Sequence, residues 1–305
     1  MEDFVTSDNH LGHYNIVLHC ERLPWIHDNP NFDPNKKIHF KYNNPRAVDI
    51  NAHDEAMIEN WNGMVSKKDH VRILGDFAYK NHRKFLLALN GKKTLFKGNH
   101  DKMSQDCYNL FEDVVDTSDV KELREECSKW LNRYNKITRE DLIDSLIKSI
   151  WNKFANMHDF ECMDVMDRGC YQMLEGVYEM GARKRVQGQD VTFCHYAMRS
   201  WASSCHGAFE LYGHSHGRMP EFDNMYSFDV GVDVWGYAPV PWSAIVLKMQ
   251  KIKEKIEKRG EYSVDGESLV KGTYSKDADE RVREIRARNK QIIIEAGYPI
   301  NEHMW

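Results

Sequence analysis

Polar residues of a few types gather at five places in the chain: Asp8-Asn9-His10, Gly75-Asp76, Gly98-Asn99-His100-Asp101, His195 and Gly213-His214-Ser215-His216-Gly217. Each cluster stands where an apolar run stops. Hard oxygens from carboxylate and amide, mixed with neutral imidazoles, suit divalent first-row metals. Two such ions side by side polarise an ester and supply a nucleophile, a general device for hydrolysing phosphate esters.

Spacing adds detail. Asp8 and His10, two apart at the end of an extended run, point to one side because strand side chains alternate with period two, so both can hold one ion. The two oxygens of Asp76 can bridge ions roughly 3.5 to 4 Å apart. Asn99 adds an amide oxygen, and His195, His214 and His216 add imidazole nitrogens. Taken singly, Asp-x-His, Gly-Asp and His195 read as ordinary turn or core chemistry. Paired histidines flanked by glycines have no packing use, and the joint occurrence of all five clusters marks a site.

The elements that must position these residues alternate. Phe4-Val5-Thr6, Val71 to Leu74 and Lys93 to Phe96 read as buried strands that deliver the clusters at their carboxyl ends, with helical periodicity from Ala47 to Trp61 and from Arg83 to Leu89 between them. Strand texture resumes at Val191 to Cys194, Ala208 to Tyr212, Met225 to Val230 and Ser243 to Leu247. That alternation is the pattern of an α/β layered fold. The intervening 117–189 is charged and helix-favouring, with a helix start at Thr138-Arg139-Glu140-Asp141 and a small apolar set that includes Trp130, Leu146, Trp151 and Phe154. The charged run 251–259 and the run from Asp277 to Ala296 read as solvated surface helices with a thin apolar face.

At 305 residues with 41% hydrophobic content, the chain can bury a full core. A formal charge of -5 gives no global basic field and argues against tight nonspecific binding to duplex nucleic acid. Seven scattered cysteines show no zinc-knuckle spacing and no disulfide framework, so a reducing, cytoplasmic setting is expected. Neither an export signal nor an apolar run of about eighteen residues occurs, and no membrane association is expected.

With these residues in view, the order of motifs resembles the calcineurin-like metallophosphoesterases, a superfamily of phosphatases, phosphodiesterases and nucleases. The resemblance covers roughly 3–116 and 190–248. It is carried by Ser7-Asp8-Asn9-His10-Leu11-Gly12-His13, Leu74-Gly75-Asp76-Phe77-Ala78, Lys97-Gly98-Asn99-His100-Asp101, and Asp229 to Trp235, which is similar to small bacterial and phage members. It implies an α/β protein with two facing mixed β-sheets flanked by helices, a four-layer sandwich. The catalytic domain would be discontinuous (1–116 and 190–248), with a mostly helical insertion (117–189) and a helical C-terminal extension (249–305). Asp8, His10, His216 and Asp76 would hold one divalent metal; Asp76, Asn99, His195 and His214 would hold the other. Manganese is the first expectation, with iron, zinc, nickel or cobalt as alternatives.

The resemblance further implies attack of a metal-bridging hydroxide on phosphorus, with His100 as proton donor and Asp101 orienting the loop. The expected substrate is a phosphodiester of a nucleotide-type small molecule. Alternatives are a phosphomonoesterase, a nuclease, which would need a cationic track with stacking aromatics, and a non-catalytic adaptor that uses the insertion for partner binding. The insertion offers a lid, a dimerisation element or a docking surface, so a homo-oligomer is a further expectation. Pro45-Arg46 reverses the arginine-before-proline order of relatives, which weakens a substrate role for Arg46. His13 reads equally as a residue facing the cleft and as an ordinary hydrogen-bonded histidine; Tyr196, Arg199 and Trp201 are placed to line the pocket, with aromatic packing the first expectation.

Overall fold

The structure, a computed structural model, describes residues 1–39, 43–115, 183–198, 201, 207–219, 221, 225–259 and 277–305. Its strands follow from alternation. In β1 (Asp3–Thr6), Phe4 and Val5 are both buried but face opposite sides, and they join two separate hydrophobic clusters. A strand buried on both faces reads as a short continuous apolar run, as those of parallel sheets do.

Five strands form the first sheet in the order β11 (Val240–Pro241), β1, β4 (His70–Ile73), β5 (Lys92–Phe96), β6 (Asp113–Val115). β1, β4, β5 and β6 run parallel in register steps such as Phe4 to Val71 to Lys93, and β11 is antiparallel to β1. A second sheet orders β10 (Ser227–Asp229), β9 (Phe209–Tyr212), β8 (Gln189–Phe193) and β7 (Arg183–Val186). β2 (Ile26–Asp28) and β3 (Arg46–Val48) pair apart from both.

The four-layer sandwich of two facing sheets is therefore corrected. Among the described residues the strands fall into three sheets of five, four and two, the larger two are mixed, and successive turns of chain stack as coils do in a solenoid rather than making a clear two-sheet sandwich. Connectivity gives the reason. Parallel strands cannot be joined by a hairpin, so the chain crosses back between β4, β5 and β6 and advances by one strand at each turn.

The crossings are made by helices. α1 (Tyr14–His19) follows β1, and α2 (Ile50–Met64) begins where the Asp49 carboxylate accepts the Ala52 N–H at 3.0 Å. α3 (His82–Ala88) and α4 (Gln105–Tyr108) follow β4 and β5. Met57, Trp61, Phe85 and Leu86 pack on the face of the first sheet that carries Phe4, Val71, Ile73 and Leu95. On its other face Val5, Leu74 and Phe96 share a core with Val191, Phe193, Leu211 and Phe228.

Two sequence expectations change at the carboxyl end. Ser243 to Leu247 is not a strand but the start of α5 (Trp242–Arg259). A five-residue apolar run fits either state; Ile245, Met249, Ile252 and Ile256, all buried, continue it at helical spacing and decide the matter. Nor is α6 (Asp277–Glu295) a merely solvated helix: Ile285, Asn289, Ile292 and Ile293 are buried against α5 and the turn at Val232–Val234. The helical insertion expected over 117–189 lies outside the described residues through 182. Its end is the strand β7, joined to β8 by a two-residue turn at Gln187 and Gly188, both with positive φ.

Glu210 on β9 gives a test of this core. Fully buried, it accepts hydrogen bonds from the Met198 N–H (2.6 Å) and the Ser227 hydroxyl (2.5 Å), and burial pushes its carboxyl up to about 8 despite them. A carboxyl raised in the folded state binds a proton that the unfolded chain releases, so its contribution is full below the unfolded value and is lost as pH rises toward 8. Unfolding free energy should fall by about 1.4 kcal/mol per pH unit through that window on its account. Urea titrations at pH 5.5 and 8 should show this slope flattened in Glu210→Gln.

Candidate metal centre

Every cluster singled out in the sequence lies at the carboxyl end of a strand: Asp8 and His10 after β1, Asp76 after β4, Asn99 and His100 after β5, His195 after β8, His214 and His216 after β9. In parallel sheets those ends converge, which is where ligands bind in open α/β structures. Asp8 and His10, however, are not presented by strand alternation, because β1 ends at Thr6. The backbone adopts the left-handed region at Asp8 (φ 58°), His10 (φ 49°), Asp76 (φ 53°), His214 (φ 63°) and His216 (φ 50°). Few non-glycine residues do so, and strain of this kind persists where the surroundings enforce it, commonly at functional sites.

Backbone hydrogen bonds enforce it here. The Asp8 N–H donates to the Gly75 carbonyl (3.1 Å) and the His10 N–H to the Asp76 carbonyl (2.9 Å), which ties the loop after β1 to the loop after β4. Gly75 itself (φ 91°) must lack a side chain, since a Cβ would stand 2.5 Å from His195 Nδ1. At Gly213 a Cβ would collide with Ser7 Oγ and Asp8 Oδ2.

The side chains meet in two groups. Asp8, His10 and His216 offer ligand atoms within 4.8 Å of one another, and so do Asp76, His195 and His214. Asp76 stands between them, its Oδ2 3.5 Å from Nε2 of His10 and 3.5 Å from Nε2 of His195. Asn99 Oδ1 lies 3.0 Å from His195 Nε2 and joins the second group. The His195 Nδ1–H donates to the Leu74 carbonyl at 2.7 Å, which fixes the ring and turns Nε2 toward Asp76 and Asn99.

These residues fit a pair of divalent cations. Asp8 Oδ1 and His10 Nε2 are buried and lack hydrogen-bond partners, a costly arrangement unless something positive completes it. Mixed oxygen and imidazole donors suit manganese, iron, zinc, nickel or cobalt. The field agrees. Burial pushes the Asp8 carboxyl up to about 6 against the pull of His216 and His195. Asp76 goes the other way: burial opposes it, but the hydrogen bond and charge of His195, then the charge of His10, hold it well below the usual range. Burial, with His195 nearby, drops His214 to about 4, so that ring is neutral and able to ligate at pH 7.

His100 is exposed, its ring 5.7 Å from that of His10 and 5.8 Å from that of His13, while its backbone N–H donates to Asp76 Oδ1 at 2.9 Å. Asp101 is buried and does not face the centre. Its carboxylate accepts three backbone N–H groups, of Gly98 (2.7 Å), Asp76 (2.8 Å) and Phe77 (2.9 Å), and so clamps the loop after β5 to the loop after β4. His13 stacks on Tyr79 with centroids 4.4 Å apart, and the exposed Tyr196 donates its hydroxyl to Asn99 Oδ1 at 3.3 Å. Trp201 is packed, its indole N–H on the Ala208 carbonyl, and Arg199 lies outside the described residues. Arg46 is committed to Glu21 through two bonds of 2.9 and 2.8 Å.

Three supporting residues have no role assigned from sequence, although Asp229 and Asp233 stand in the last of the motifs. Asp229 accepts from Ser215 Oγ (2.6 Å) and the Gly217 N–H (2.8 Å) and shapes the histidine loop. Arg22 and Asp233 form a buried bidentate pair beneath Asp8 and His216. Pairs separated by 211 residues leave no local spacing to read. The one available signal was Asp229 and Asp233 recurring within an otherwise apolar stretch.

No protein-family model matches the chain. A stretch of 107 residues, 33% of this chain, is 29% identical to the uncharacterized protein MJ1445 of Methanocaldococcus jannaschii; the match spans about half of that relative's length, 48%. Among solved structures, the protein of unknown function AQ665 from Aquifex aeolicus aligns over 81% of this chain and 98% of its own at 13% identity, with a TM-score of 0.41. Neither relative carries a functional name. No described helix is long and apolar enough to cross a membrane.

Asp101→Ala should expose the value of the clamp. Three buried N–H groups would lose their acceptor, and unfolding free energy measured in urea should fall by about 3 to 5 kcal/mol. A loss below about 1 kcal/mol would mean that solvent replaces the carboxylate and that the two loops hold each other without it.

Proposed function

We propose that the protein hydrolyses a phosphate ester with two divalent metal ions, as a relative of the calcineurin-like metallophosphoesterases whose motif order its sequence resembles. The observation that carries this reading is Asp76 Oδ2, equidistant at 3.5 Å from His10 Nε2 and His195 Nε2, between two ligand groups of which one holds unpartnered buried donors. Asp8, His10, Asp76 and His216 would hold one ion, and Asp76, Asn99, His195 and His214 the other. Such a pair, when bound, supplies Lewis acidity and a nucleophile at neutral pH.

The chain's own groups do the rest. Asp76 Oδ1 fixes the His100 backbone (2.9 Å), and the exposed ring of His100 delivers a proton to the departing oxygen, a contribution of about 10² to 10⁴ in rate. His13 lies on the same side and is lowered to about 4, by burial and then by the charge of His100, so it is neutral at pH 7. Exposed Tyr79 and Tyr196 flank the centre and favour a substrate with an aromatic moiety, which supports a nucleotide-type substrate; the diester preference rests on the resemblance alone.

Turnover of bis-aryl and mono-aryl phosphates with added Mn²⁺ tests the reading. The unaltered protein is expected to prefer the diester, with activity abolished in Asp76→Ala and lowered by about 10² or more in His100→Ala. Absence of turnover with manganese, iron, zinc, nickel and cobalt alike would overturn it.

A further inference from the structure

Behind the ligands lies one fully buried guanidinium whose five N–H donors are all engaged. Arg22 Nε donates to Asp233 Oδ1 (2.8 Å), and Nη2 donates to Asp233 Oδ2 (2.9 Å) and to the Asp8 carbonyl (2.8 Å). Nη1 donates to the Asn9 carbonyl (3.1 Å) and meets His53 Nε2 at 2.9 Å. The far nitrogen of that imidazole, Nδ1, donates to Asp54 Oδ1 (2.9 Å), which also accepts the Gly12 N–H (3.0 Å). Both carbonyls that Arg22 holds belong to the strained loop that presents Asp8 and His10.

Asp233 completes the chain of contacts. Its Oδ2 also accepts the Nδ1–H of His216 at 2.7 Å, so one carboxylate oxygen serves the arginine and the imidazole together. A ring that donates from Nδ1 to a carboxylate is held in the tautomer whose Nε2 carries a lone pair, and outer partners of this kind orient metal-binding histidines and raise their basicity. The turn that carries Asp233 is braced from outside by α6, where Asn289 donates to the Val234 carbonyl (2.9 Å) and accepts from Lys248 Nζ (3.0 Å).

Resting on the two-ion reading above, the geometry points to Arg22 and Asp233 as the positioning pair of the centre: Asp233 fixes the tautomer and aim of His216, and Arg22 locks that carboxylate to the Asp8-Asn9 backbone, so the Asp8, His10 and His216 ligands are assembled before an ion arrives. Neither residue touches substrate. Loss of the pair acts on one ion of the two.

Asp233→Asn is the direct test. The amide keeps shape and volume, but its N–H₂ must face a donor: turned to Arg22 Nε it breaks the fork that holds the Asp8-Asn9 backbone, and turned to Arg22 Nη2 and His216 it also drives the imidazole toward the tautomer that cannot ligate. Calorimetric Mn²⁺ titration of the full chain should show two sites in the unaltered protein. In the variant, one should be weakened by about 10- to 100-fold and the other kept near its original affinity. Paramagnetic resonance should show a coupled manganese pair giving way to an isolated ion at the same loading.

Tautomer-resolved NMR of His216 in the unaltered Zn²⁺-loaded protein serves if the variant fails to fold, with protonated Nδ1 expected and protonated Nε2 overturning the inference. Two wild-type-like sites in Asp233→Asn would also overturn it, whatever the thermal midpoint does. Cys20 lies with His216 and Asp233 within 4.8 Å; a thiolate-to-cobalt absorption that vanishes in Cys20→Ala would put the ion on that side and overturn it as well. If the unaltered protein takes up no ion, the two-ion reading falls and this inference falls with it.

Discussion

Buried carboxylates and imidazoles crowded at the strand ends are the constraint around which the first sheet is organised. Asp8, His10, Asp76 and His195 are each nearly inaccessible, and groups of this kind are tolerated only when every lone pair and proton is answered. The protein answers most of them with backbone. Loops after β1, β4 and β5 are tied to one another by main-chain bonds and by the three amides that Asp101 gathers. Among the buried side-chain atoms left without a hydrogen-bond partner, those of Asp8, Asn9 and His10 fall in one loop, while those of Asn60, Thr192 and Arg286 lie elsewhere.

A second consequence concerns the carboxyl-terminal helices. Lys248 is buried with its ammonium 4.5 Å from the Phe228 ring and bonded to Asn289 and Glu221, and Arg286 lies 4.3 Å over Tyr237. Those contacts surround the turn at Val232–Val234. A region whose charge pattern reads as peripheral thus supports the floor of the metal centre, and the apparent boundary at residue 248 falls within α5 rather than between domains.

The sequence made the strands before each cluster legible because they are short, apolar and followed at once by polar residues, as at Ile73-Leu74-Gly75-Asp76. The polar clusters at the strand ends were legible for the same reason. Three things were not. Asp8 and His10 come together through left-handed backbone, which no alternation rule describes. Ser243 to Leu247 is apolar on all sides, and only residues further on reveal its helical period. Arg22 and Asp233 act at a distance in sequence that only the folded chain closes. The two-sheet layering that the resemblance implies was not legible, because motif order constrains the strand ends and says little about how successive coils stack.

The left-handed backbone also limits what could be redesigned. Aspartate and histidine are among the few residues with side chains that occupy that region readily, and β-branched replacements are effectively barred from it. At Asp8, His10, Asp76, His214 and His216, then, the roster of usable donors is set by main-chain conformation before any metal is considered. Asn99 and His195 keep ordinary dihedral angles, so exchange of their side chains is free of that limit.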